Sequence, residues 1–268
     1  MKIGVLGNKN KVKNNQTVEE IIQKLESWGY ETVRFFMPSD IQDVDAVIIM
    51  GGDGAILHAS VIAAKRNVPI IGINYGNLGF LAEFEKDEWD SVKDLLTQMQ
   101  QGTCPMLKRS LVQVEVFGKT FYALNEVALQ RDPGMDATKG TQILRVQMQS
   151  CAGVDVIAGD GLLVCTPTGS TAYSLSAGGA ILTPEVPVLM MTPICAFSMR
   201  SRPIVFPDTE QLKFRITRGK GILLADGMTV GPIPENTEIV LKKAQFTANF
   251  PVREGSDFFL KVRNKLNQ

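Results

Sequence analysis

The sequence contains one histidine, two tryptophans and four cysteines in 268 residues. A single histidine, His58, gives no support for a Ser-His-Asp triad. Cys104, Cys151, Cys165 and Cys195 form no C-x-x-C pair, which argues against a structural zinc site, and no metal ligand is assigned. Scattered thiols fit a reducing compartment, and the expected location is the cytoplasm. Charge of one sign is also lacking: 28 Lys+Arg balance 28 Asp+Glu. A dedicated nucleic-acid binder shows a basic excess, so no nucleic-acid partner is expected, although a local basic patch stays open. No long apolar run exists. The most apolar stretch, from Gly178 to Phe197, is interrupted by Glu185, Pro184, Pro187 and Pro193, so no membrane partner is expected. The start, MKIGVLGNKNKVKN, reads as a first strand rather than a signal-peptide core. With 44% hydrophobic and 21% charged residues, the chain is neither disordered, nor collagen-like, nor a disulfide scaffold. Its length suits one large domain or two modest ones.

The first hundred residues alternate strand and helix patterns. Apolar runs at Lys2–Gly7, Thr32–Phe36, Val44–Met50 and Val68–Ile73 predict strands, the third and fourth buried on both faces. Val18, Ile21, Ile22 and Leu25 predict a helix, as do Ile56, Leu57, Val61 and Ile62, and again Trp89, Val92, Leu95, Leu96 and Met99. The order predicts a Rossmann-like α/β domain with an open parallel sheet. Near residue 102 the pattern changes. Short strands are expected at Leu111–Phe117, Phe121–Gln130, Ile143–Gln149, Val154–Ala158, Leu212–Thr217, Ile222–Ala225 and Glu238–Lys242. A hairpin is expected around Gly118 and Lys119, and one helix at about Ser170–Gly178. The expectation is therefore an α/β domain over 1–103, a β-rich domain over 104–249, and an amphipathic tail within 250–268 returning to the first.

Three motifs carry chemistry. Gly51-Gly52-Asp53-Gly54 lies between a buried strand and a helix. Glycines there permit positive φ and close approach of a ligand, and a helix start suits phosphate. Asp53 would project from the carboxyl end of a parallel strand, where open α/β sheets bind ligands. The plainer alternative is a tight turn with aspartate as a cap. Asn125-Glu126 interrupts an apolar strand in FYALNEVAL. Buried, the pair needs partners, and a ligand rich in hydroxyls or amides would supply them. Taken alone, the pair reads better as an edge strand facing water. The third motif runs from Gly159-Asp160-Gly161 through TPTGSTAYSLSAGG. Hydroxyls at 166, 168, 170 and 171 crowd a glycine turn at a helix start, a donor-rich cradle for phosphate or ribose, though not a Walker loop. A helix cap needs one hydroxyl, not four. Weaker signals are Asp226-Gly227, by itself a generic hairpin turn, and Arg200 with Arg202, either solvated or holding an anion. His58, one turn beyond GGDG, is kept only for its neighbourhood. Asp136 reads by itself as loop chemistry.

Taken in order, GGDG, NYGNLGFLAEF, LNEVAL, DGLLVCTPTGSTAYSLSAGG and SRPIV closely resemble the bacterial-type NAD kinases, over nearly the whole chain to the FFLKVRNKL tail. GGDG alone is shared with diacylglycerol kinases, sphingosine kinases and phosphofructokinases; TPTGSTAYSLSAGG with the NE pair is much more specific. The resemblance implies an α/β domain followed by a β-rich domain with the active site between them. It implies transfer of the γ-phosphoryl of ATP, or of polyphosphate, to the 2′-hydroxyl of the adenosine ribose of NAD, a phosphotransfer to an alcohol acceptor that gives NADP. It also implies a divalent metal, usually Mg²⁺, NAD and ATP as small-molecule substrates, and a homodimer or homotetramer.

Residue by residue, the resemblance implies Asp53 as the catalytic base and Gly54 as the point where backbone approaches the dinucleotide. A ribose hydroxyl is a poor nucleophile near neutral pH, so a carboxylate in reach is what the step needs. Asn125 and Glu126 match the NAD-contacting pair, and Asp160 the acidic residue opening the second glycine-rich stretch. Thr171, Ala172, Tyr173 and Ser176 match residues lining the NAD site, with Ser174 and Leu175 in the same run. Tyr173 suits packing on a flat ring. Asp226 matches an acidic residue on a loop near the nicotinamide side. Ala158 and Asp136 fall where some members place further contacts. Departures are Ala55, where a hydroxyl residue often follows GGDG, Phe197, where many members carry histidine, and Met228, where a polar residue is common. The alternatives are a lipid kinase of the GGDG superfamily, which would usually lack TPTGSTAYSLSAGG, and a non-catalytic NAD-binding sensor, which loss of Asp53 or the glycines would favour. A sugar phosphofructokinase is disfavoured by the short chain.

Overall fold

The computed structural model describes residues 1–7, 15–76, 79–132, 143–151 and 153–266. The chain forms two compact units, Met1–Arg109 with Phe246–Gln268, and Ser110–Gln245.

In the first unit, β1 (Lys2–Gly7), α1 (Asn15–Ser27), β2 (Glu31–Phe35), β3 (Ala46–Gly51), α2 (Asp53–Lys65), β4 (Ile70–Asn74), β5 (Phe84–Glu85) and α3 (Trp89–Gln101) follow one another. The sheet order is β2-β1-β3-β4-β5, all parallel. All six residues of β3 and all five of β4 are buried, as their unbroken apolar runs require. Val18, Ile21 and Leu25 of α1 join Val92, Leu95 and Leu96 of α3 and alternate residues of β1, β3 and β4 in one core. The two-residue β5 was not expected; it is too short to show a period.

The second unit holds most of β6 (Met106–Val116), then β7 (Lys119–Ala123), β8 (Glu126–Arg131), β9 (Leu144–Ser150), β10 (Gly153–Gly159), β11 (Gly161–Cys165), the one-turn α4 (Tyr173–Ser176), β12 (Val188–Ile194), β13 (Ile204–Pro207), β14 (Leu212–Arg218), β15 (Gly221–Ala225), β16 (Met228–Ile233) and most of β17 (Glu238–Pro251). Residues 106–109 of β6 and 246–251 of β17 fall in the first unit. α5 (Phe258–Leu266) closes the chain within the first unit. Two six-stranded sheets form, ordered β10-β9-β14-β17-β6-β7 and β13-β12-β11-β8-β15-β16. One core draws on both, with Val112, Met148 and Phe214 from the first and Val127, Leu162 and Leu223 from the second. The second sheet is apolar on its other face too, where Ala128, Leu163, Cys165 and Met190 pack against Tyr173 and Leu182. An α/β unit with a parallel sheet and a β-rich unit are thus the fold class expected.

Three local expectations are corrected. Phe121–Gln130 is not one strand: it breaks at Leu124-Asn125, and β7 and β8 belong to different sheets. The β6–β7 turn is Phe117-Gly118 rather than Gly118-Lys119, because both turn residues take positive φ, 53° and 69°, and Val116 pairs with Lys119. The helix expected at about Ser170–Gly178 reduces to a 3₁₀ turn at Thr168–Thr171 and α4. β12, β13 and β16 were also unforeseen, the first because Pro193 lies inside it.

Candidate functional site

In the first unit the strand order reverses direction between β1 and β3, and GGDG follows β3 at its carboxyl end, the position where parallel α/β sheets take ligands. Asp53 is the first residue of α2, and Gly52 is the N-cap without a side-chain cap bond. The aspartate-cap alternative is therefore overturned. The carboxylate instead accepts two backbone N–H groups from the turn after β4: Phe80 at 2.7 Å on Oδ2 and Leu81 at 3.1 Å on Oδ1. A Cβ at Gly79 would lie 2.0 Å from Asp53 Oδ1, so this grip needs glycine there. Asn74, at the end of β4, steadies the same turn by accepting the Gly76 N–H at 3.0 Å and donating to Glu85. The expectation of positive φ in GGDG does not hold. Gly52 has φ −99°, and Gly51 and Gly54 are not among the positive-φ glycines. A Cβ at Gly54 would meet open space, so the fold itself does not require glycine there. His58 is exposed on α2.

In the second unit, β8 is an interior strand and Glu126 is only 7% exposed. The edge-strand reading of Asn125-Glu126 is thereby corrected. Asp226 organises the pair. Its carboxylate accepts the N–H groups of Leu124 at 2.7 Å, Asn125 at 2.8 Å and Glu126 at 3.2 Å, while its own N–H donates to the Glu126 carbonyl at 2.9 Å. These bonds take up the main chain where it leaves one sheet for the other. Asp226 and Gly227 form a two-residue hairpin turn between β15 and β16, with φ 49° and 75°. From below, Thr166 donates its hydroxyl to the Leu124 carbonyl at 2.6 Å, and a Cβ at Gly169 would lie 2.2 Å from the Asn125 carbonyl oxygen. The backbone of the pair is held from both sides. Its side-chain acceptors are not: Asn125 Oδ1 and Glu126 Oε2 are buried without a hydrogen-bond partner among the described residues. Burial, with the nearby charge of Asp226, pushes the Glu126 carboxyl up to about 7, against the opposing N–H of Tyr173.

Alternation along β8 sends Glu126, Ala128 and Gln130 to the same face, over which Tyr173 packs. The Tyr173 hydroxyl accepts from Gln130 Nε2 at 3.1 Å. Thr171, Ala172 and Leu175 are half-buried beside it, and Ser176 is exposed. Asp160, between β10 and β11, pairs with Arg131 Nε at 3.2 Å, and Ala158 is half-buried on β10. The hydroxyl cradle needs revision. Thr166 and Ser170 are fully buried, and Ser170 donates to the Pro167 carbonyl at 2.6 Å and accepts the Leu182 N–H at 3.0 Å. These hydroxyls staple the turn, because a buried turn has main-chain groups to satisfy. Ser174 is likewise fully buried, 2.9 Å from the Thr192 hydroxyl. Asp136 lies outside the described residues.

Sequence reasoning did not identify Phe80 and Leu81 as the donors to Asp53, nor Gln130, nor Asp226 as a clamp. The signal for the first two was present: NYGNLG ends the parallel strand next to β3, so its turn falls in the same row as GGDG. Phe197, at 78% exposure, and Met228 stand at the surface. Among the described residues no three His, Cys, Asp or Glu converge to hold a metal, and no helix is long and apolar enough to cross a membrane.

The sequence profile of the ATP-NAD kinase N-terminal domain matches residues 3–103, and that of the ATP-NAD kinase C-terminal domain matches 124–251. The chain is 34% identical over 227 residues to an NAD kinase of Methanothermobacter thermautotrophicus, covering 84% of this chain and 77% of the relative. It is 30% identical over 275 residues to an NAD kinase of Petrotoga mobilis, covering 99% and 97%. Among solved structures, an NAD kinase from Archaeoglobus fulgidus in complex with ATP superposes with a TM-score of 0.79 at 26% identity, over 100% of this chain and 98% of that one. Yeast NADH kinase complexed with NADH shares the fold, with a TM-score of 0.82 at 20% identity over 100% and 87%. With both domain profiles in order and relatives aligned over most of their length, the chain belongs to the ATP-NAD kinase family.

Proposed function

We propose that this chain is an NAD kinase that transfers the γ-phosphoryl of ATP to the 2′-hydroxyl of the adenosine ribose of NAD, releasing NADP and ADP. The observation that carries the substrate side is the pair of buried acceptors, Asn125 Oδ1 and Glu126 Oε2, on a backbone clamped by Asp226. Buried acceptors without donors are costly, and a dinucleotide brings hydroxyl and amide donors. Tyr173, with Thr171, Ala172, Leu175 and Ser176, offers a half-buried ring and edge for a flat group. Asp160, Ala158 and the expected Asp136 are further proposed contacts, as is His58 on the side of GGDG. We take the unit spanning Ser110–Gln245 as the NAD-binding domain.

On the reactive side, Asp53 is the base. Two N–H bonds fix the plane of its carboxylate, which leaves lone pairs to accept the 2′-hydroxyl proton as the new O–P bond forms and the bond from the γ-phosphorus to the bridging oxygen of ADP breaks. The implied Mg²⁺ fits as an ion carried by the donor's phosphates, since the described residues form no cage of their own and Asp53 is a single carboxylate. When bound, it neutralises charge on the phosphates. Polyphosphate is a second proposed donor. The family resemblance supports a homodimer or homotetramer, and four free cysteines suit a cytoplasmic setting.

The test is an endpoint assay with purified protein, Mg²⁺, NAD and either ATP or polyphosphate, read by an NADP-specific dehydrogenase. NADP formation that is lost in Asp53→Asn supports the reading. NAD binding with neither donor yielding NADP would sink it.

A further inference from the structure

We infer that Lys265, on the last turn of α5, is a positioning residue for Asp53 that offsets charge repulsion between this carboxylate and the phosphoryl donor. The inference rests on the Asp53 reading above. Lys265 Nζ lies 3.7 Å from Asp53 Oδ2, and both side chains are about one-third exposed, 33% and 32%. At that distance the ammonium supplies charge rather than a short hydrogen bond. It is steadied by the ring of Phe80, whose centroid is 4.1 Å away. The N–H of the same Phe80 donates to the same Oδ2 at 2.7 Å. One residue therefore holds both the carboxylate and the cation beside it.

The chain leading to α5 is fastened to make this possible. Glu83, whose side chain is 6% exposed, meets Arg253 at 3.3 Å, accepts the Ser256 hydroxyl at 3.2 Å and pairs with Lys261. Arg253 also donates to both oxygens of Glu88, at 2.8 and 3.0 Å, which holds that carboxyl below its ordinary range. Lys261 and Lys265 are one helical turn apart, so a buried Glu83 under the first directs the second toward the turn that carries Phe80.

The need for a cation follows from charge. A polyphosphate chain arriving at the start of α2 brings several negative charges toward a carboxylate. Lys265 lowers that repulsion on the donor side and leaves NAD recognition untouched.

The experiment compares wild type, Lys265→Gln and Lys265→Arg in the full chain. MgATP and NAD binding are measured by calorimetry, kcat and KM for each substrate by NADP formation, and each variant is repeated in an Asp53→Asn background. Lys265→Gln is expected to weaken MgATP binding by about tenfold, change NAD binding by less than about twofold and leave Tm in place, with Lys265→Arg recovering most of the loss. In the Asp53→Asn background, where no carboxylate charge needs offsetting, the penalty should shrink to about twofold. MgATP binding within twofold of wild type in Lys265→Gln overturns the inference. So does an undiminished loss in the Asp53→Asn background, which would make Lys265 a direct phosphate ligand. Equal weakening of both substrates with a lowered Tm would make it structural. Because the coupling is read from binding, it stands apart from the base assignment, which fails if Asp53→Asn turns over normally.

Discussion

Two carboxylates, Asp53 and Glu126, sit in opposite situations. Asp53 is partly exposed, and both of its oxygens are gripped by backbone N–H groups of a neighbouring turn. Glu126 is buried, its backbone is clamped by Asp226, and one of its side-chain oxygens has no partner among the described residues. Main-chain donors fix the plane of the first and leave it open to a proton. Burial raises the second and leaves it short of donors, which under the proposed function a ligand hydroxyl would supply. Under the proposed function the difference separates a group that reacts from one that recognises, although both are carboxylates beside glycine turns.

Asp53→Asn breaks the contrast most sharply. It keeps the size of the side chain and one acceptor oxygen for the Phe80 and Leu81 N–H groups, while removing the charged proton acceptor. Turnover should fall about 10³-fold with NAD affinity nearly unchanged, as initial rates and calorimetry would report. Next is Asp226→Ala, which orphans three backbone N–H groups at the crossing between sheets. We expect a loss of about 3 kcal/mol in urea unfolding and a KM for NAD raised at least about tenfold. A wild-type urea midpoint would remove the clamp from the account.

Glu126→Gln sharpens the contrast through pH. The folded carboxyl is raised from 4.5 to about 7, whereas the unfolded chain ionises at the ordinary value. The stability owed to the neutral form is therefore fully present below about pH 4.5 and lost as pH rises through 7. The neutral variant should be more stable than wild type at pH 8 by about 3 kcal/mol and equal to it near pH 4, while its KM for NAD rises. Urea midpoints independent of pH would contradict the burial argument. The smallest effect is expected from Tyr173→Phe, which removes only the bond from Gln130 and should shift stability by less than about 1 kcal/mol. A larger KM change for NAD than for ATP would tie the Tyr173 hydroxyl to the dinucleotide.

Much of the first unit was legible because burial on both faces writes itself as unbroken apolar runs: β1, β3 and β4 each lie within two residues of their expected bounds. The second unit was harder to read. A strand that changes sheets, as the chain does at Leu124-Asn125, keeps its apolar character on both sides of the break, so FYALNEVAL looks continuous. Pro193 disguised β12. In the hydroxyl-rich TPTGST run, composition alone does not distinguish donors aimed at a ligand from donors that satisfy a buried turn.

The order of residues was enough to determine the alternation of parallel strands and helices, the change to a β-rich half, and the place of Asp53 at a strand end, because each depends on local periodicity and turn chemistry. Only tertiary structure decided that Phe80 and Leu81 hold Asp53, that Asp226 clamps Asn125 and Glu126 from about a hundred residues away, and that Lys265 returns to Asp53. Those partners meet through sheet order and chain return, and spacing along a sequence carries no record of distance between groups so far apart.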